Sequence, residues 1–511
     1  IFLRNLHSMT IASILSALAK HAHSTPDRTA VTYSVNEARN LSYYQLACLV
    51  NIYRKKIKSL NIPSNDKAVI CLENSAEYIA LLYACWSLDI TVIPLHSQSA
   101  VREVQHILDF SQAKLAITKN NLAINLENSV QHLKVEANEF ELLLDTEAAK
   151  PDLDQWVIPA VEHNALILFT SGTTGDPKGV MLSHSNLLAN TQSIVQYLSL
   201  SATDCTYCVL PFTYSYGNSV LQTHIYAGAS ICLGQSMLYP KLIAEDLNKA
   251  SITGFSGVPS TFQILLHKTS FAKIHPQLRY ITQAGGSMSV TTTKELLEAL
   301  PNTDIYVMYG QTEASARLTY LPPARLLEKA GSIGIPIPDV ELAISDESGK
   351  LLGPNETGEL IAKGDNIMQG YLSNPTATEQ TITGDWLHTG DLGYRDIDGF
   401  YYIKGRQKQM IKSGANRIHP EEIEEVILEC DAVSEVSVTG IKDELLGEVI
   451  AAFVILKQGF GEDPKPIRYH CRKNLPPHKQ VKEIFWVSEF PRTSSGKIKR
   501  HELASFANAR K

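Results

Sequence analysis

From residue 10 to about residue 400, short β-rich runs alternate with stretches patterned for helices. That alternation restricts the chain to α/β layers with largely parallel sheets. Ala68-Val69-Ile70, Leu115-Ala116-Ile117 and Ile305-Tyr306-Val307-Met308 read as strands, and Ile11, Ile14, Leu15 and Leu18 mark an opening amphipathic helix. From Ile333 to Tyr402 the character shifts to short strands with Gly, Pro, Asn and Asp turns, which predicts a small β-rich subdomain. Gly405-Arg406-Gln407-Lys408-Gln409 is a polar, glycine-led link. Beyond it, Pro420 to Glu429 reads as a helix and Glu435 to Thr439 and Val449 to Leu456 as strands. At 511 residues the chain exceeds a single core. The expected division is a large N-terminal domain over 9–405 and a small α+β domain over 406–511. The chain opens on Ile1, and Met9 is its expected natural start.

Composition excludes several classes. Charged residues make up 19% and the net charge is −7, without the basic face that nucleic acid requires. The most apolar stretch, Tyr78 to Leu95, is broken by Ser87 and Asp89, so a buried helix followed by a strand is expected rather than a membrane span. No basic segment followed by a long apolar one opens the chain, which points away from secretion. Eight sparse cysteines read as reduced thiols of a cytoplasmic protein. Cys205-Thr206-Tyr207-Cys208 has zinc or redox spacing, but no second pair completes a site, so buried strand cysteines are expected.

The most informative local feature is Leu168-Phe169-Thr170-Ser171-Gly172-Thr173-Thr174-Gly175-Asp176-Pro177-Lys178-Gly179-Val180. An apolar run, Leu166 to Phe169, feeds a turn dense in hydroxyls and glycine that ends in a lysine, with a helical pattern from about Ser185. Closely spaced N–H groups, hydroxyls and a cation are what polyphosphate oxygens require. It is not the common G-x-x-x-x-G-K-[ST] loop: five residues before Gly496-Lys497 stands Pro491, and Ile498 follows.

Four further motifs are weak singly. Tyr309-Gly310-Gln311-Thr312-Glu313 places a hydroxyl and a carboxylate after a strand, where open α/β sheets bind ligands. Thr389-Gly390-Asp391-Leu392-Gly393 puts a short acid in a turn, able to accept two ribose hydroxyl protons. Gly405-Arg406 adds a cation beside the link. Pro491-Arg492-Thr493-Ser494-Ser495-Gly496-Lys497 is a loop holding a lysine near the chain end.

Taken in order, these motifs resemble the adenylate-forming superfamily: acyl- and aryl-CoA synthetases, adenylation domains of peptide synthetases and firefly-type luciferases. The resemblance runs from Leu41-Ser42-Tyr43 to Lys497. It implies that a large and a small domain enclose ATP, the small one acting as a mobile lid between two half-reactions. It assigns the phosphate loop to Thr170, Ser171, Gly172, Thr173, Thr174, Gly175 and Lys178. Thr312 would contact the α-phosphate, Tyr309 and Gly310 lie in the same nucleotide-binding motif, and Glu313 would hold Mg²⁺. Asp391 would bind the ribose, with Arg406 beside it. Gly285, Gly286 and Ser287 would line the adenine and acyl sites, and Phe212, Tyr214, Tyr216 and Gly217 the acyl pocket. Lys408 would be the hinge, Lys412 and Gly414 would belong to a loop near the thiol path, and Lys497 would reach both the acyl carboxylate and the α-phosphate.

The implied chemistry activates a carboxylic acid with ATP to acyl-AMP and pyrophosphate, then transfers the acyl group to a thiol. CoA is the expected acceptor and a holo acyl-carrier protein the alternative. A luciferase-like oxidase and a non-catalytic ATP-binding protein are remoter readings; retention of Glu313 and Lys497 disfavours the last. The sequence departs from the pattern at three places. Tyr214 stands where many relatives have a gating histidine, Ala415 replaces a glycine in the thiol-step loop, and Thr213 stands where amino-acid-activating domains carry aspartate. With no carboxylate in Phe212 to Asn218 to pair an α-ammonium, the expected acid is a hydrophobic acyl or aryl acid, a fatty acid above an aromatic one.

Overall fold

The computed structural model describes residues 12–33, 39–119, 124, 129–136, 151–170, 178–249, 251–274, 278–406, 410–413, 416–443, 447–492 and 498–510. Two large sheets carry the N-terminal part. The first has seven strands, in the order Gly370–Tyr371, Lys178–Ser183, Asn164–Thr170, Thr91–Leu95, Lys67–Cys71, Leu115–Lys119, Gln131–Val135. Its interior pairs are parallel, while Lys178–Ser183 runs antiparallel to both neighbours. The apolar stretch broken by Ser87 and Asp89 begins in the helix Ala76–Trp86, buried along its whole length. Asp89, at φ 57°, then turns the chain into the buried strand Thr91–Leu95.

The second sheet has nine strands, with a parallel centre of Asp304–Tyr309, Tyr280–Gln283, Gly254–Gly257, Cys205–Cys208 and Ser230–Leu233. Its strand order reverses between Cys205–Cys208 and Gly254–Gly257, which pair directly. Crevices beyond strand C-terminal ends at such a reversal are where α/β sheets take ligands. The chain leaves the first of these strands through Pro211–Tyr214, the segment expected to line the acyl pocket. Cys205 and Cys208 are buried and free, as strand cysteines.

A third, antiparallel sheet of Val340–Ser345, Gly358–Gly364, Trp386–Arg395, Ile382–Thr383 and Tyr401–Arg406 forms the β-rich subdomain. Only residues 407–410 separate Arg406 from Ile411–Ser413, the first strand of a fourth sheet. Within that fourth sheet Val433–Asp443 pairs with Gly447–Leu456, and the helix Pro420–Leu428 packs its Ile423 and Ile427 into the core beneath. The mixed α/β architecture and its large and small parts are therefore those the sequence predicts. No helix among the described residues is long and apolar enough to cross a membrane.

Candidate active site

The loop that dominates the sequence reading joins two antiparallel strands rather than a strand and a helix. Thr170 ends Asn164–Thr170, and Lys178 pairs with it in register at the start of Lys178–Ser183. The helix follows only at His184–Leu198, and its first turn is already capped. Ser183 Oγ accepts from Asn186 N at 3.1 Å, while Asn186 Oδ1 accepts from Ser183 N at 2.9 Å. Its terminal N–H groups are thus engaged internally, and the alternation Val180-Met181-Leu182 reads as a strand once a partner is in place. Ser171, Gly172, Thr173, Thr174 and Gly175 lie outside the described residues.

Lys178 and Glu313 meet through Tyr371. The lysine ammonium sits 4.6 Å from the Tyr371 ring centre, and the Tyr371 hydroxyl donates to Glu313 Oε1 at 2.9 Å. Burial, and next the Glu313 charge, push the Tyr371 phenol up, so it stays a donor. The Glu313 carbonyl accepts from Met368 N at 2.9 Å, which fixes the backbone as well. Thr312 and Glu313 share a single 3-10 turn after Asp304–Tyr309, and Thr312 Oγ1 lies 3.4 Å from Ser215 Oγ. Gly310 makes this turn possible: a Cβ there would lie 2.0 Å from the Ala316 carbonyl oxygen.

Asp391 sits within the strand Trp386–Arg395, not in the turn that Thr389-Gly390 suggested. The neighbouring strand explains the difference: Asp391 is the register partner of Arg406 on Tyr401–Arg406. Its carboxylate is 2% exposed overall, accepts from the Tyr309 hydroxyl at 2.5 Å and from Arg406 Nε at 2.9 Å. Burial and then Asp391 raise the Tyr309 phenol well above its ordinary value, and Asp391 raises Arg406, so both remain donors. Tyr309 therefore ties the C-terminal end of Asp304–Tyr309 to the β-rich sheet.

The acyl-pocket residues separate into two sets. Phe212 is fully buried against Tyr78, with its N–H on Asn74 Oδ1 at 2.9 Å, and belongs to the core. Gly217 is a packing position, since a Cβ would lie 2.1 Å from the Pro211 carbonyl oxygen. Tyr214 begins the helix Ser215–Ala227 and faces His96, ring centres 6.5 Å apart. Tyr216 donates to Thr282 at 2.9 Å, on the strand that leads to Gly285. Gly285, Gly286 and Ser287 are exposed just beyond it, and Gln283 Nε2 donates to the Gly286 carbonyl at 2.7 Å. Thr213 is buried, and its hydroxyl has no hydrogen-bond partner among the described residues. Lys412 holds Glu448 through its backbone N–H at 2.7 Å. Lys408, Gly414 and Lys497 lie outside the described residues.

Motif reading passed over Tyr371 and His96. Neither lies in a glycine- or hydroxyl-rich run; Tyr371 follows Gly370, whose φ of 137° is the one local sign of a constrained turn.

The AMP-binding enzyme family matches residues 18–372, and the AMP-binding enzyme C-terminal domain matches residues 422–497. A 2-succinylbenzoate–CoA ligase of Geobacillus kaustophilus is 32% identical, over 95% of this chain and 96% of its own length. An oxalate–CoA ligase of Arabidopsis thaliana is 31% identical, over 98% and 99%. The solved o-succinylbenzoate CoA synthetase of Bacillus subtilis, in complex with its acyl-adenylate intermediate, aligns with a TM-score of 0.82 at 27% identity, over 95% of this chain and 97% of that one. The same Bacillus subtilis enzyme in complex with ATP and magnesium aligns at 0.81 and 27%, over 95% and 98%. The chain belongs to the AMP-binding enzyme family, and it is an adenylate-forming, ATP-dependent acid–thiol ligase.

Proposed function

We propose that the enzyme joins a small-molecule carboxylic acid to CoA through an acyl-AMP intermediate. The observation that carries this reading is the Lys178–Tyr371–Glu313 array, a cation and an acid held on one tyrosine beside the strand ends of the phosphate loop. A carboxylate is a poor electrophile, so its oxygen attacks the α-phosphorus of ATP and pyrophosphate leaves. Two anions must approach for this, and positioned cations and donors offset their repulsion. Lys178 with Thr170 and the loop between them would hold the β- and γ-phosphates, and Thr312 the α-phosphate. Asp391, oriented by Tyr309 and Arg406, would accept from the ribose hydroxyls. Lys497 would bridge the acyl and phosphoryl oxygens.

Mg²⁺ suits this donor set. Among the described residues no three His, Cys, Asp or Glu cluster as a metal cage, and Mg²⁺ is ordinarily held by one or two carboxylates plus phosphate oxygens. Glu313 would be that carboxylate, and the ion when bound neutralises charge on the phosphates.

We divide the chain into an ATP- and acyl-binding domain, 9–405, and a mobile lid, 406–511. Free CoA is favoured over a carrier protein, as both curated relatives named above are CoA ligases. Eight free thiols support a cytoplasmic location. The test is a panel of carboxylic acids with ATP, Mg²⁺ and hydroxylamine, scored for acyl-hydroxamate, then repeated with CoA and with a holo-carrier. Lys497→Ala should cut acyl-AMP formation by orders of magnitude and spare thioester formation from supplied acyl-AMP. Equal loss in both half-reactions would remove Lys497 from its assigned role, and no hydroxamate with any acid would remove the ligase reading.

A further inference from the structure

Arg317 is 3% exposed, yet among the described residues no carboxylate pairs with it. Its Nε points at the Met308 sulfur at 3.3 Å, a weak acceptor, and its Nη1 at the Ala316 carbonyl at 3.2 Å. The guanidinium carbon lies 4.1 Å from the centre of the Tyr216 ring. Three other guanidinium groups have acid partners: Arg279 has Asp204, Arg406 has Asp391, and Arg500 has Glu421 and Glu424, while buried Arg54 donates to the Gln155 carbonyl. A planar fork of five donors, stacked on an aromatic face and lacking its acid, is suited to receive a carboxylate in two parallel hydrogen bonds.

The backbone is bent to put it there. Ser315 has φ 56° and Ala316 φ 121°, two consecutive non-glycine residues with positive φ, the second in a region that only glycine enters readily. The bend is held on both sides. Ser315 Oγ donates to the Asn366 carbonyl at 2.8 Å, and the Arg317 carbonyl accepts from Asn190 and Asn366 at 3.1 and 2.9 Å. Strain maintained by three side-chain bonds marks an orientation that the surrounding structure enforces.

The location is the acyl side of the site. Arg317 ends the loop that begins with Thr312 and Glu313. It stacks on Tyr216, whose hydroxyl bonds Thr282, three residues before Gly285. Burial pushes the Tyr216 and Tyr197 phenols up and the nearby Arg317 charge opposes this; Arg317 also hydrogen-bonds the Tyr197 hydroxyl.

We propose that Arg317 receives a second carboxylate at the far end of the acyl pocket, so that the acid substrate is a dicarboxylate with an apolar body. This rests on the ligase reading above and narrows its substrate class: Tyr214 and Tyr216 flank the body, Arg317 takes the distal anion, and the other carboxylate is adenylated.

The test is pyrophosphate release with ATP and Mg²⁺ on matched pairs that differ only in the distal group: adipate and hexanoate, pimelate and heptanoate, terephthalate and 4-methylbenzoate. For a pair that the wild-type enzyme uses, kcat/KM for the diacid should exceed that for the monoacid by at least about 100-fold, mostly through KM. Arg317→Leu should erase or invert that ratio while turnover of the monoacid persists. Arg317→Lys should keep part of it, since a point charge lacks the fork. Should Arg317→Leu fail to fold, the wild-type ratios and Arg317→Lys decide. Wild-type preference for the monoacids, or equal loss on both members of a pair in either variant, would overturn the inference while leaving the ligase intact. Release with no acid at all would remove both.

Discussion

Tyr371 donates its hydroxyl to Glu313 across a separation of 58 residues, and it does so at 2.9 Å from a side chain that is 6% exposed. The bond orients the carboxylate that we propose holds a nucleotide-bound cation. The same ring gives Lys178 an electron-rich face to rest on. Two groups of opposite charge are thereby held apart yet close to one locus, instead of closing onto each other as an ion pair.

Tyr371→Phe separates the two contributions, because it removes the hydroxyl and keeps the ring. Partners that orient a metal-binding carboxylate are ordinarily worth about 10- to 100-fold in affinity or activity. The Mg²⁺ concentration for half-maximal pyrophosphate release should rise within that range, with little change in thermal midpoint. Tyr371→Leu should add an increase in KM for ATP through Lys178. An unchanged Mg²⁺ dependence in Tyr371→Phe would show that Glu313 is oriented by other contacts.

Gly310→Ala should disable the site without unfolding the enzyme. The added Cβ would meet a backbone oxygen, Ala316 O, at 2.0 Å, so no side chain can swing aside. The turn carrying Thr312 and Glu313 must shift, and displacement of a catalytic group by about 1 Å costs on the order of 100-fold. Acyl-hydroxamate formation should fall by at least that factor, with circular dichroism unchanged. Wild-type rates would mean that the turn absorbs the methyl without moving either side chain.

How far the sequence reaches can be read from these residues. Strands such as Lys67–Cys71 and Asp304–Tyr309 were legible because they are buried on both faces and so read as apolar runs. The β-rich subdomain was legible from its turn residues. The strand Lys178–Ser183 was not, because its six residues begin with a lysine and run straight into a helix cap, and only the partner Asn164–Thr170 makes it a strand. Asp391 was placed in a turn for a similar reason: Thr389-Gly390 is turn chemistry, and its strand is completed by Tyr401–Arg406. Phe212 carried the expected pocket wall, but proximity in sequence to Tyr214 does not say which aromatic faces a cavity. The contacts of Tyr371 with Glu313 and of Arg317 with Tyr216 join residues distant in the chain, and no local pattern records those.

Lys408→Pro should uncouple the half-reactions. Residues 407–410 alone join the β-rich sheet to the C-terminal sheet, so any rotation between the two must be absorbed there. Proline fixes φ near about −65°. Acyl-AMP formation should persist and thioester formation should collapse, measured as hydroxamate against acyl-CoA from the same acid. Unchanged overall turnover would move the hinge elsewhere.

Acid stability of the enzyme should depend on His224, which is fully buried. Its Nδ1 lies 2.7 Å from the Val220 carbonyl, which only accepts, so the Nδ1 proton is donated there. Nε2, at 2.8 Å from the Tyr280 hydroxyl, is then the acceptor, and the ring is neutral with both nitrogens satisfied. Full burial brings its pKa down from 6.5 to about 4, and burial does the same to His184 beside Trp86. A histidine whose folded pKa is depressed binds its proton more readily when unfolded. Stability from it is complete above pH 6.5 and is lost as pH falls toward 4. A shift of this size corresponds to about 3 kcal/mol per group. The thermal midpoint should therefore drop steeply over that interval, on top of the general effect of protonating carboxylates. His224→Gln keeps a donor and an acceptor without titrating, so its midpoint should fall less steeply between pH 6.5 and 4.5 even if it starts lower. A slope identical to that of the wild-type enzyme would mean that His224 does not contribute to the acid limb.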